Sequence, residues 1–288
     1  MASGHCRILF LAVSSLLLLF CLYAPPESLK ETRDGIPTET DHAEAAREEP
    51  PKILLTAHRG DSVHCPENTM AAFQAAADAG ADGIELDIQE TQDHVFVVCH
   101  DQNLSRTAGM NRNISDLRYE ELRRLDAGSW FSGQFCGQCI PTLEEVLQFG
   151  RENQLYLNIE IKGSLSSGAE SALASLLRRC RMEDHCILAC QDYRMLTRLK
   201  NSVPELRTLY VTMTPPKDLS SLTDADEISV AYSAVDAALI EQAHNCGKRI
   251  HIWTVDTPEL LKSMAALHPD VIITDDPALA RQILDDAC

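Results

Sequence analysis

Positive charge is scarce in this 288-residue chain, where 25 lysines and arginines face 43 acidic residues for a formal net charge of -18. Nucleic-acid affinity is built mainly from basic residues on phosphates, so a nucleic-acid partner is excluded on charge. Flat adsorption to anionic lipid is disfavoured for the same reason. An anionic substrate therefore needs local help from a metal ion or a few placed cations. Zinc-type cysteine spacing is also missing. Cys136-Gly-Gln-Cys139 could form a disulfide or half a zinc site, but no second pair completes it. Cys99, Cys186 and Cys190 fall in apolar, strand-like runs and read as core thiols. The 11 cysteines are an odd number, so at least one is unpaired within a single chain. No repeat of about 20 to 50 residues is visible beyond a simple strand and helix alternation.

What is present is ordinary for a folded domain, with 45% hydrophobic and 24% charged residues. The exception is Ile8 to Ala24, an uncharged 17-residue run behind a lone Arg7. It predicts a single-pass N-terminal membrane anchor, with export after signal cleavage as the alternative. Positions 1–24 are thus assigned to this hydrophobic segment. Residues 25–51 follow as an acidic, flexible linker rich in Pro, Thr and Ala, without helical or strand periodicity.

From Lys52 to the end, short apolar runs alternate with helix-like segments. Eight strands are predicted, at 53–57, 83–89, 155–161, 186–190, 207–212, 228–232, 249–254 and 271–274. Helices are expected between them. Asn68 to Ala79 places Met70, Phe73, Ala76 and Ala77 on one face, and Thr142 to Glu152 opens with a capping residue and two acidic residues. The fold class is therefore α/β, a (β/α)8 TIM barrel over 52–288. Asp101 to Ile140 is too long for a simple crossover and is an insertion after the second strand region. Its inner part, Ser115 to Leu122, predicts a short capped helix.

In such a barrel the chemistry sits where the strands finish. His58 and Arg59 directly follow the first strand. In Gly83 to Ile88, alternation puts Glu85 and Asp87 on the face opposite Ile84, Leu86 and Ile88. The same rule aligns Asn158, Glu160 and Lys162. Three carboxylates crowded at a barrel mouth would repel one another and raise their own pKa values unless a cation intervened. An all-oxygen donor set selects one hard divalent ion, Mg2+ or Ca2+. One such carboxylate alone would read as a solvated strand end, and one histidine as a surface or core residue. His58 and His100, both at strand ends beside this trio, form an acid and base pair for catalysis near neutral pH.

The motifs that carry these residues resemble the glycerophosphodiester phosphodiesterase family. The match runs through His58-Arg59-Gly60, Pro66-Glu67-Asn68-Thr69, Glu85-Leu86-Asp87, His100-Asp101 with Leu104 and Arg106-Thr107, and Pro141-Thr142-Leu143-Glu144-Glu145. It continues through Glu160-Ile161-Lys162, Trp253-Thr254-Val255 and Ile273-Thr274-Asp275. The resemblance implies hydrolysis of a glycerophosphodiester to glycerol phosphate and an alcohol, through a cyclic phosphate if a neighbouring substrate hydroxyl attacks first. It also implies Glu85, Asp87 and Glu160 as metal ligands, His58 and His100 as acid and base, Arg59 and Lys162 as phosphate contacts and Trp253 as a pocket wall. Asp256 departs from the Asn common in the family and adds negative charge near the mouth.

Two other functions compete with this one. A lysophospholipid or sphingolipid phosphodiesterase on the same barrel would take a lipid substrate. A barrel without catalysis would be a membrane-tethered binding module.

Overall fold

The computed structural model describes residues 52–286. Eight parallel strands close into a barrel: β1 (Leu54–His58), β2 (Gly83–Glu90), β4 (Tyr156–Ile161), β5 (Cys186–Cys190), β6 (Thr208–Thr212), β7 (Glu227–Ala231), β8 (Arg249–Trp253) and β9 (Val271–Thr274). Pairing of β1 with both β2 and β9 completes the ring. All eight predicted strands are present, with ends shifted by one residue at most. A ninth, β3 (Phe96–Val98), was not among them.

The reason for β3 lies in the length of β2. β1 pairs with β2 only over Gly83 to Glu85, so the upper part of β2 projects past its neighbour. β3 folds back antiparallel onto that overhang, from Ile88 opposite Val98 to Glu90 opposite Phe96. The hairpin returns the chain toward the mouth, where the Cys99 N–H donates to the Asp87 carbonyl at 2.9 Å. His100 follows immediately. Beyond it, the insertion holds a short helix at Ser105–Ala108 and its own apolar cluster of Val97, Cys99, Leu104, Ile114, Leu117, Leu122 and Ile140. The helix expected at Ser115 to Leu122 divides into a 3-10 turn, Ile114–Asp116, and one helical turn, Tyr119–Leu122, closed by Glu121 on the Arg118 N–H.

Alternation along β2 works as predicted. Ile84, Leu86 and Ile88 face outward into the main core with Phe73 and Ala76 of the helix Met70–Asp78. Glu85 and Asp87 take the other face. The helix Leu143–Glu152 has the reciprocal Thr142 and Glu145 cap, a feature contributing about 0.5–2 kcal/mol. The ring of helices has one gap among the described residues: β6 and β7 are joined by a stretch carrying only the 3-10 turn Leu219–Ser221. Pro215 and Pro216 lie in that stretch, which carries no α-helix. Cys99, Cys186 and Cys190 are buried, and burial pushes their thiols up to about 12, 12 and 11.

The expectation of a single-pass N-terminal anchor is corrected. No helix among the described residues is long and apolar enough to cross a membrane. Helices here run to 12 residues at most and bury one side on the barrel, whereas a span needs about 20 apolar residues. The run Ile8 to Ala24 that prompted the expectation, and the linker at 25–51, lie outside the described residues.

Candidate active site

At the ends of the strands, His58, Arg59, Glu85, His100, Glu160, Lys162 and Trp253 line one cavity of about 280 Å³. Asp87, the remaining predicted site residue, is 1% exposed and lies just behind them. One oxygen from each of Glu85, Asp87 and Glu160 falls within 4.8 Å of the others. Strand register explains the cluster: Asp87 on β2 stands opposite Glu160 on β4, and Glu85 opposite Asn158.

The loop after β1 grips these carboxylates. Arg59 has φ +58° and Gly60 φ +84°, a left-handed pair that turns the chain sharply off the strand. Gly60 is required twice over, since a Cβ there would lie 2.6 to 2.8 Å from Ala72. The turn aims the Arg59 N–H at Glu85 Oε2 (3.0 Å) and its Nε at Asp87 Oδ2 (3.3 Å). Further on, Asn68 Nδ2 donates to Asp87 Oδ2 at 2.8 Å, and Thr69 caps the next helix. Lys162 Nζ reaches Glu160 Oε1 at 2.7 Å and Asp87 Oδ1 at 3.2 Å.

Two fixed cations thus serve three buried carboxylates, and they serve them unequally. Asp87 is buried, but Lys162 and Arg59 outweigh that burial and hold it below the usual carboxylate range. Glu85 accepts the Arg59 backbone N–H but has no lysine or arginine side chain paired with its carboxylate. Burial, followed by the Asp87 charge, pushes it up to about 8. Asp87 Oδ1 has the Lys162 ammonium at 3.2 Å, whereas Glu85 Oε1 is buried without a hydrogen-bond partner. A buried oxygen left so costs about 1–3 kcal/mol, and more when charged. The donor set, all oxygen and one positive charge short, fits a hard divalent cation.

Both histidines are oriented in the same way. His58 Nδ1 bonds Asp275 Oδ1 at 2.6 Å, and Ser62 Oγ donates to the same oxygen at 3.0 Å. Burial would lower the His58 pKa, but the Asp275 bond and the Glu85 charge outweigh it and the net shift is upward. His100 Nδ1 bonds Asp101 Oδ1 at 2.8 Å. Arg106, and then His100, hold Asp101 down at about 2. With Nδ1 committed to a carboxylate, Nε2 is the remaining ring nitrogen of each histidine.

Sequence reasoning missed the partners. Asp101 adjoins His100, and a carboxylate beside a candidate histidine was a readable signal. Asp275 lies 217 positions from His58, and only closure of β1 on β9 brings the two together. Asp256, noted as an extra negative charge, is bound into the wall: its Oδ1 accepts the Asp275 N–H at 2.8 Å and the Thr274 hydroxyl at 3.2 Å. Asn158 Oδ1 and Trp253 Nε1 are buried and unpartnered, an acceptor and a donor on strands that face each other across the ring. Gln191, Val211, Ser229 and Ile273 complete much of the lining.

The fold and this mouth define a (β/α)8-barrel enzyme that combines an acidic cluster, two carboxylate-held histidines and two fixed cations. Residues 58–279 match the model of the glycerophosphoryl diester phosphodiesterase family. The chain is 37% identical over 231 residues to a glycerophosphodiester phosphodiesterase of Caldanaerobacter subterraneus subsp. tengcongensis, covering 78% of this chain and 95% of that one. A crystal structure of a putative glycerophosphoryl diester phosphodiesterase from Silicibacter pomeroyi superimposes with TM-score 0.75 at 26% identity, over 83% of this chain and 95% of the other. An Oleispira antarctica phosphodiesterase in complex with the product sn-glycerol-3-phosphate gives TM-score 0.74 at 26% identity, over 82% and 97%. The chain belongs to the glycerophosphoryl diester phosphodiesterase family, and is an enzyme of the phosphoric diester hydrolase class.

Proposed function

We propose that this enzyme cleaves a small glycerophosphodiester to glycerol phosphate and an alcohol, with one divalent cation, Mg2+ or Ca2+, held by Glu85, Asp87 and Glu160. The observation that carries the reading is the charge deficit of that cluster, which leaves the buried Glu85 Oε1 unpaired. The bound cation would polarise the phosphoryl oxygens and draw charge off them.

The chain's own groups supply the rest. Arg59 and Lys162 are fixed beside the carboxylates and balance the negative charge that grows on the phosphoryl group as the nucleophile attacks. The two Nε2 atoms of His58 and His100 divide the proton transfers. One accepts the proton of the attacking hydroxyl or water, and the other delivers a proton to the departing oxygen. Asp275 and Asp101 keep each ring in the tautomer that presents Nε2 and stabilise it when it carries two protons. Trp253 Nε1 and Asn158 Oδ1, one donor and one acceptor, suit the hydroxyls of the glycerol moiety.

Support comes from the family membership and from the glycerol phosphate bound by the Oleispira antarctica relative. The test is turnover of glycerophosphocholine by the purified chain with added Mg2+ or Ca2+, repeated in excess chelator. Release of glycerol phosphate that stops under chelation and returns with the cation is expected. Full activity in chelator would refute the cation, and turnover of lysophosphatidylcholine but not glycerophosphocholine would overturn the substrate.

A further inference from the structure

The insertion contributes more than His100. Arg106, on its first helical turn, is not among the residues lining the cavity, yet its guanidinium joins the supports of two groups that are. Nε donates to Asp101 Oδ2 at 2.7 Å, while Asp101 Oδ1 holds His100 Nδ1. Nη1 and Nη2 donate to the two oxygens of Glu67 at 2.6 and 2.8 Å. Glu67 Oε1 in turn accepts from Arg59 Nη1 at 2.9 Å. A single planar fork therefore fixes one carboxylate behind the histidine and another behind the arginine.

We propose that Arg106 is a positioning residue that sets the aim of His100 and Arg59 together, so that the insertion acts as part of the catalytic frame. This rests on the reading of those two residues given above.

Three features favour this over a surface clasp. The contacts use both ends of the fork, a geometry a lysine cannot copy. Trp130 lies against the guanidinium, 5.5 Å from ring centroid to Cζ, and is itself fixed by its Nε1 bond to the Ala127 carbonyl at 2.8 Å. Asp101 and Glu67 are both held below the usual carboxylate range, with Arg106 among the main causes, so each stays an acceptor for the group it aims. An ordinary exposed ion pair is worth little. In this one Arg106, though 41% exposed, makes three hydrogen bonds to two carboxylates and lies against the Trp130 ring.

The test uses the full chain with Arg106→Ala and Arg106→Lys. Lysine keeps the charge and a tether for the insertion but can serve one carboxylate only, so it remains informative if the alanine variant fails to fold. Loss of such a supporting contact typically costs about 10–100-fold in activity. For both variants we expect a loss of that order in kcat for glycerophosphocholine, with partial recovery of the alanine variant by added guanidinium ion. The second readout is the nitrogen chemical shift of neutral His100. In the wild type the proton should sit on Nδ1, and in both variants the two tautomers should mix. Unchanged kcat, or a fallen kcat with the His100 tautomer intact and no guanidinium recovery, would overturn the proposal. Failure of the unaltered chain to cleave the diester would count against the proposed function instead, while the nitrogen shifts would still decide the role of Arg106.

Discussion

The two ends of the barrel bury carboxylates in opposite ways. At the N-terminal end Glu227 is 1% exposed and enclosed by partners: His251 Nε2 at 2.6 Å, Arg207 in direct contact and Arg249 at 3.8 Å. Burial and the two arginines drive the His251 pKa down to about 3, so its ring is neutral and serves as a donor. At the C-terminal end Glu85 is buried almost as deeply, but no lysine or arginine side chain pairs with it and its Oε1 has no partner. The contrast separates structure from chemistry. A carboxylate whose charge is answered holds strands together; one whose charge is left open is available to a ligand.

Three experiments would sharpen or break that contrast. The largest effect should come from His58→Ala or His100→Ala, expected to lower turnover by about 10²–10⁴-fold without moving the midpoint of chemical unfolding. Near-normal turnover would remove the histidines from the mechanism. At the other end, Glu227→Gln should do the reverse. Breaking a buried pair from one side costs about 3–5 kcal/mol, and the lower figure applies here because Arg207 and Arg249 are more than a third exposed and water screens them. Turnover per folded molecule should stay constant, and a drop would show that the bottom plug reaches the mouth.

The smallest effect is a slope. Because Glu85 ionises near 8 in the fold and in the ordinary carboxylate range when unfolded, the folded chain binds the extra proton between those values. Stability in chelator should therefore fall as pH rises from about 4.5 toward about 8. Glu85→Gln should flatten the fall, and so should an added divalent cation. Thermal melts across pH would reveal a flat wild-type profile if Glu85 is not the buried, unanswered acid described.

How much was readable without the structure follows from distance along the chain. Glu85 and Asp87 could be assigned to one face because alternation is local, and the eight strands because apolar runs are local. The run before His100 read as a strand end but was not counted among the eight, and the cause of β3 is relational: it exists because β2 outruns β1. The missing helix between β6 and β7 had no local signal, since Pro215-Pro216 could equally have opened a helix as Pro258 and Pro277 do. Asp275 and Arg106 belonged to quoted motifs, but their partners depend on closure of the ring and on the path of the insertion, which no spacing rule encodes. The membrane expectation rested wholly on composition before residue 52.

The pairing of β1 with β9 has a consequence for the life of the chain. Ala57 lies beside Thr274, and the His58 and Asp275 that follow them meet only there. During synthesis His58 emerges early, and its partner Asp275 emerges 217 residues later. On the proposed role of His58, activity should appear only once the last strand has docked and the ring has shut.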